Sequence, residues 1–174
     1  RSWLILRVTN DSPLALTAVT LTFALPMTLV SPFAGALADR LSRKKLIAIS
    51  QLLTAFFTCV LGVLDITQLV NYWHIMLIGV FNGSLMAINM PSRQALISDV
   101  VPDKSLMNAI SLNNSSMNLT RVIGPAFAGL LILLIDTAGV FFIVSVIYLL
   151  SALSVTLITA QNFNKSPKNS KVLS

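Results

Sequence analysis

Five apolar stretches, roughly residues 14–37, 46–64, 72–90, 107–134 and 138–160, fill most of this chain and leave only short gaps between them. A helix needs about 20 mainly apolar residues to cross a bilayer core of ~30 Å. Each stretch comes close to that length or exceeds it. In lipid every backbone N–H and C=O has to find a partner inside the protein, and a helix achieves this within one segment. The pattern predicts an all-α membrane protein with five transmembrane helices. Composition agrees: 10% of the residues are charged, where a soluble domain carries about 25%. Mean hydropathy is +0.83. So few charges cannot clothe a water-facing globule, and the partner implied is the lipid bilayer.

The net charge of +6 does not indicate nucleic acid. The bases sit in the gaps between apolar runs rather than along one polar face. Residues 38–45 hold Arg40, Arg43, Lys44 and Lys45, residues 91–106 hold Arg93 and Lys104, and the tail holds Lys165, Lys168 and Lys171. The alternate gaps, 65–71 and 136–137, hold acids and no Lys or Arg. Basic loops stay on the cytoplasmic side. Loops 38–45 and 91–106 and the tail 161–174 are therefore expected in the cytoplasm of a multi-pass inner-membrane protein. The domain expected is a partial helical bundle over residues 1–160, followed by the start of a polar linker over 161–174. The chain opens on Arg1 and shows no signal-peptide pattern. An outside start of this kind leads us to expect a preceding first helix.

The first gap reads Gly35-Ala36-Leu37-Ala38-Asp39-Arg40-Leu41-Ser42-Arg43-Lys44-Lys45. Gly35 permits close helix contact near the membrane face. Asp39 lies beside four bases and is suited to pairing with one, or to facing the positive end of a neighbouring helix. The same charges also serve simply to set topology. This segment resembles the cytoplasmic loop signature of the major facilitator superfamily, Gly-x-x-x-Asp-Arg-x-Gly-Arg-Arg/Lys. It matches at Gly35, Asp39, Arg40, Arg43 and Lys44 and departs at Ser42. The resemblance implies a gating loop in which Asp39 latches the cytoplasmic side shut.

A second run extends from Asn89-Met90-Pro91-Ser92-Arg93-Gln94-Ala95 through Asp99 to Arg121-Val122-Ile123-Gly124-Pro125-Ala126-Phe127-Ala128-Gly129. It resembles the bacterial exporter branch that includes the enterobactin exporter and the transmembrane secretion effector proteins. Gly124, Pro125 and Gly129 remove bulk and one backbone donor from a single helix. That suits either close packing or a pivot, and the Gly-Pro segment is similar to an antiporter signature. The resemblance makes the five spans equivalent to helices two to six of twelve. It implies a half built from inverted three-helix repeats, with the C-terminal half of the transporter as a further partner.

Polar residues inside spans mark faces turned to protein or water. Asn82 and Asn89 in the third span, and Asn114, Asn118 and Arg121 at helical spacing in the fourth, are candidates to line a central cavity. Arg121 inside a span needs an acid or an anionic solute to offset it, unless the first turns of that helix are cytoplasmic. Tyr72 and Trp73 suit an aromatic belt, and His74 beside them lacks a partner acid. One His and one Cys make neither a metal cluster nor a nucleophile–base set, so no cofactor, no metal and no enzyme activity are expected. The expected function is secondary transport of a small-molecule substrate by alternating access, with proton-driven efflux implied by the resemblance. The alternatives are a membrane scaffold subunit and an inactive gene fragment.

Overall fold

The computed structural model describes residues 4–5 and 13–157, apart from the side chains of residues 13, 16 and 35–40. The expected linker over 161–174 lies outside the described residues. Four helical stretches follow in order: α1 Pro13–Arg40, α2 Arg43–Ile66, α3 Tyr72–Val100 and α4 Asp103–Leu157. All four are long and apolar enough to cross a membrane, and no described residue lies in a strand.

Helix α4 is 55 residues long, which as a straight rod is about 80 Å, more than twice a bilayer core. It breaks at Asp136, where φ is 59° and ψ 173°. That region is essentially reserved for glycine and costs about 1–3 kcal/mol in any other residue. The Asp136 carboxylate accepts a hydrogen bond from the Thr137 backbone N–H at 2.6 Å, which helps to start the second arm. The arms are residues 103–135 and 137–157. Met117 in the first and Ile147 in the second line one cavity. An unbroken helix would hold them about 45 Å apart, so the chain turns back at Asp136.

Helix α2 runs antiparallel to α3. Arg43 meets Asp99, Ser50 meets Asn89, and Phe57 stacks on Phe81 with ring centroids 4.9 Å apart. It also runs antiparallel to the second arm of α4. Ser145 donates across to the Ala55 carbonyl at 2.9 Å, and the Phe141–Phe142 pair closes over Gly62. Helix α1 packs chiefly on α3, through Gly79 and Gly83. A core of Leu4, Ile5, Val19, Leu61, Ile75, Ile78 and Phe141 joins the elements at the end remote from Arg43. Outside it the surface is apolar, with Leu133 85% and Leu14 82% exposed. Side chains of that kind at that exposure suit lipid or further helices rather than water.

The third helix continues beyond the span drawn at 72–90. Pro91 removes only one backbone donor, and α3 runs on to Val100. The helix thus carries Arg93 and Gln94, which the gap between charges had suggested were loop residues.

Candidate functional site

A cavity of about 420 Å³ opens among α1, α2, α3 and both arms of α4. Its wall is a mixture of carboxamides, thioethers and rings. Helix α2 supplies Gln51 and Thr54. Helix α3 supplies Asn82, Met86, Asn89, Met90, Arg93 and Gln94, while Phe23 comes from α1. The two arms of α4 add Asn113 and Met117, then Ile147, Tyr148 and Ser151. Asn82, Met86, Asn89 and Arg93 recur every three or four residues, so they share one face of α3.

Two of the wall's carboxamides are fixed by local bonds. Asn82 is 5% exposed and donates Nδ2 to the Ile78 carbonyl one turn back, at 3.0 Å. Asn89 donates Nδ2 to Ser50 Oγ at 2.7 Å, and that hydroxyl donates onward to the Ile47 carbonyl at 2.9 Å. Gln51 Oε1 is buried with no hydrogen-bond partner. Arg93 is exposed and makes no ion pair or hydrogen bond with a described residue. No Asp and no Glu lines the cavity among the described residues.

A second cluster lies at the Arg43 end of the bundle. The Arg43 guanidinium bonds Asp99 Oδ1 at 2.6 Å and the Ala95 carbonyl at 2.9 Å. One side chain at the start of α2 thereby grips the last turns of α3, where a cation suits the negative helix end. The two side chains are 30% and 36% exposed, so water screens part of the attraction.

The residues singled out from sequence fall in different places. Asn82 and Asn89 lie in the cavity wall. Asn114, Asn118 and Arg121 lie on an exposed face of the first arm of α4, and the neighbours Asn113 and Met117 face the cavity instead. In the loop signature, Arg43 takes Asp99 as its partner, and Lys44 is half-buried beside it. Gly35, Asp39 and Arg40 close the last turns of α1, and their side chains lie outside the described residues. Gly124 and Gly129 face no other helix: a Cβ at Gly124 would meet only the Thr120 methyl at 4.0 Å, and one at Gly129 nothing within 4 Å. Pro125 lies between them on the same exposed stretch. His74 accepts a hydrogen bond at Nδ1 from the Asn71 N–H, at 3.2 Å, at the start of α3. Cys59 is a half-buried free thiol. No described group of three His, Cys, Asp or Glu side chains is placed to hold a metal.

Sequence reasoning assigned no site role to Gln51, Arg93, Gln94, Asn113, Tyr148 or Asp99, although Arg93, Gln94 and Asp99 stood in the second run. Gln51 carried a signal, since it is a carboxamide inside the apolar run of α2. The pairing of Asp99 with Arg43, 56 residues away, was not legible.

Comparison with known proteins accords with this architecture. Residues 2–173 match the family model described as Major Facilitator Superfamily. Over 143 residues the chain is 26% identical to the MFS-type transporter YfiS of Bacillus subtilis, covering 82% of this chain and 33% of that protein. It is 29% identical over 129 residues to the staphyloferrin A transporter of Staphylococcus aureus, covering 74% of this chain and 32% of the relative. It is 30% identical over 107 residues to the quinolone resistance protein NorA of Staphylococcus aureus, covering 62% and 26%. The chain thus spans about a quarter to a third of the length of these relatives. A multi-helix bundle of membrane-spanning length, a polar cavity between the helices and a match over nearly the whole sequence lead to one conclusion: the chain belongs to the Major Facilitator Superfamily of transporters and is not an enzyme.

Proposed function

We propose that this chain is part of a secondary transporter that moves a small organic solute out across the bacterial inner membrane by alternating access, driven by the proton gradient. The observation that carries the reading is the 420 Å³ cavity lined by amides and one cation, in a chain of a transporter family. A volume of this order suits a small organic molecule. Relatives named for staphyloferrin A and for quinolone resistance support an organic solute. The break at Asp136 supports five crossing segments, which we assign to helices two to six of twelve, as a partial N-terminal bundle over residues 1–160. In this assignment the loop 38–45, the segment 91–106 and the tail 161–174 face the cytoplasm.

The Arg43 end is then the cytoplasmic gate. Asp39 acts there as the latch, with Arg43 held in place by Asp99. Gly124, Pro125 and Gly129 supply the pivot, on a face left open for another helix. Asn114, Asn118 and Arg121 share the open side of the same arm and face water or a further helix during transport.

The test uses everted vesicles holding the intact transporter that contains this chain. Solute uptake is expected on energisation, with loss on adding a protonophore. Uptake that ignores the protonophore overturns the coupling. Asp39→Asn is expected to insert normally and to lose most transport, and full transport at normal expression overturns the latch.

A further inference from the structure

We infer that the cavity selects an organic anion with an apolar body and a hydrogen-bond donor, and that Arg93 is the residue that holds its negative group. The inference rests on the transport reading above and adds the chemical class of the solute.

The wall has a graded chemistry. Asn82 and Arg93 are eleven positions apart on α3, which is about 16 Å along the helix. Asn82 is buried, while Arg93 is exposed at the other end of the cavity wall. Between them Met86 and Met90, with Met117 opposite, form a thioether wall. Thioethers adapt to apolar and aromatic shapes without imposing one. The guanidinium of Arg93 forms no hydrogen bond or ion pair with a described residue, and no described carboxylate shares the cavity. A guanidinium presents five donors in a planar fork that matches a carboxylate, sulfonate or phosphate. Its neighbours in the wall are amides and thioethers, so nothing described there competes with a ligand anion.

Midway along the wall, next to the Ser50–Asn89 pair, the chemistry has the opposite polarity. Gln51 Oε1 is a cavity-wall residue's acceptor, buried and without a partner. A buried unsatisfied acceptor is costly, and a ligand hydroxyl or N–H relieves it. A cation at one end, an orphan acceptor midway along the wall and thioethers lining the same space describe an amphipathic acid. A cationic solute would meet Arg93 with no described acid to offset the repulsion.

The test uses a matched pair of probes, 8-anilinonaphthalene-1-sulfonate and N-phenyl-1-naphthylamine. They share two aromatic groups and one N–H and differ by the sulfonate. Binding to the intact transporter in lipid nanodiscs is read by fluorescence, with empty nanodiscs subtracted. The anion is expected to bind about tenfold or more tightly than its neutral partner, as one charge-assisted hydrogen-bonded contact provides. Arg93→Gln is expected to lower anion binding about tenfold relative to the neutral probe, and Arg93→Lys to restore part of that preference. Arg93 is exposed and makes no described hydrogen bond or ion pair, so these variants should fold. Equal loss of both probes, or an unchanged preference in Arg93→Gln, overturns the assignment. Uptake of the two probes and of ethidium into energised vesicles separates this claim from the one beneath it. If ethidium moves and the anion does not, the anion class falls and transport stands. If no solute of any charge moves, the transport reading fails as well.

Discussion

Gly83→Ala tests whether α1 and α3 are held by direct backbone approach. A Cβ built at Gly83 lies 2.2 Å from the Phe23 carbonyl oxygen, 3.1 Å from its carbon and 3.3 Å from its Cα. Carbon–oxygen contacts between packed helices settle at about 3.3–3.6 Å. The substitution therefore needs a separation of about 1 Å, and the obstacle is backbone, which no rotamer change removes. A gap of 0.5–1 Å forfeits roughly a quarter to a half of each dispersion well along the interface. Overpacking of this kind costs about 1–3 kcal/mol. Two glycines serve as controls. Gly79 lies one turn away on the same face, where a Cβ would meet the Thr22 side chain at 3.9 Å, an ordinary contact. Gly129 has nothing within 4 Å. Gly79→Ala and Gly129→Ala should each stay within about 0.5 kcal/mol of the parent, or gain slightly from helix propensity. Reversible unfolding in mixed micelles, followed by circular dichroism, measures all three. Gly83→Ala is also expected to disturb solute binding, because Phe23 lines the cavity. A Gly83→Ala protein as stable as Gly79→Ala would refute the close approach and the α1–α3 geometry built on it.

The Arg43–Asp99 pair is expected to show a coupling of about 0.5–1 kcal/mol in a double-mutant cycle of Arg43→Gln and Asp99→Asn, given its partial exposure. Additive effects would remove the pair from the description of the gate. At the break in α4, Asp136→Gly should be more stable than Asp136→Ala by about 1 kcal/mol. Both variants lose the carboxylate's bond to Thr137, but glycine adopts φ 59° freely whereas alanine keeps the strain. Equal stability of the two variants would mean that the turn does not use a positive φ.

Length and hydropathy made the helical stretches legible: the first three apolar runs fall in α1, α2 and α3, and the last two share α4 on either side of Asp136. Helix ends were less legible. Bilayer thickness limits a span but not a helix, so α3 continues through Pro91 to Val100 and brings Arg93 to the cavity. The cavity face of α3 was readable because Asn82 and Asn89 are seven residues apart, two turns of one face. The face of α4 was not. Taking its phase from Arg121 selected Asn114 and Asn118, whereas the packing selects Asn113 and Met117. One residue is a rotation of about 100°, and only a neighbouring helix decides it. Gly83 and Gly129 look alike in sequence for the same reason. The need for a glycine lies in the Phe23 carbonyl opposite one of them.

Between helices in lipid, apolar burial gives little preference for protein over solvent, because the solvent is itself apolar. What remains is fit and polar bonding, and the two are divided among the helices here. The α2–α3 pair is pinned by Arg43 to Asp99 at one end and Asn89 to Ser50 midway, with Phe57 stacked on Phe81 beyond them. Ser145 ties α2 to the second arm of α4 through the Ala55 carbonyl. The first arm of α4 has no described hydrogen bond to another helix, and Val122 and Phe127 on it are 77% and 63% exposed. This arm can therefore move without breaking a described hydrogen bond to another helix. A motion of this arm that opens the cavity while α2 and α3 stay paired should displace Asn113 and Met117 relative to Asn82, Asn89 and Arg93.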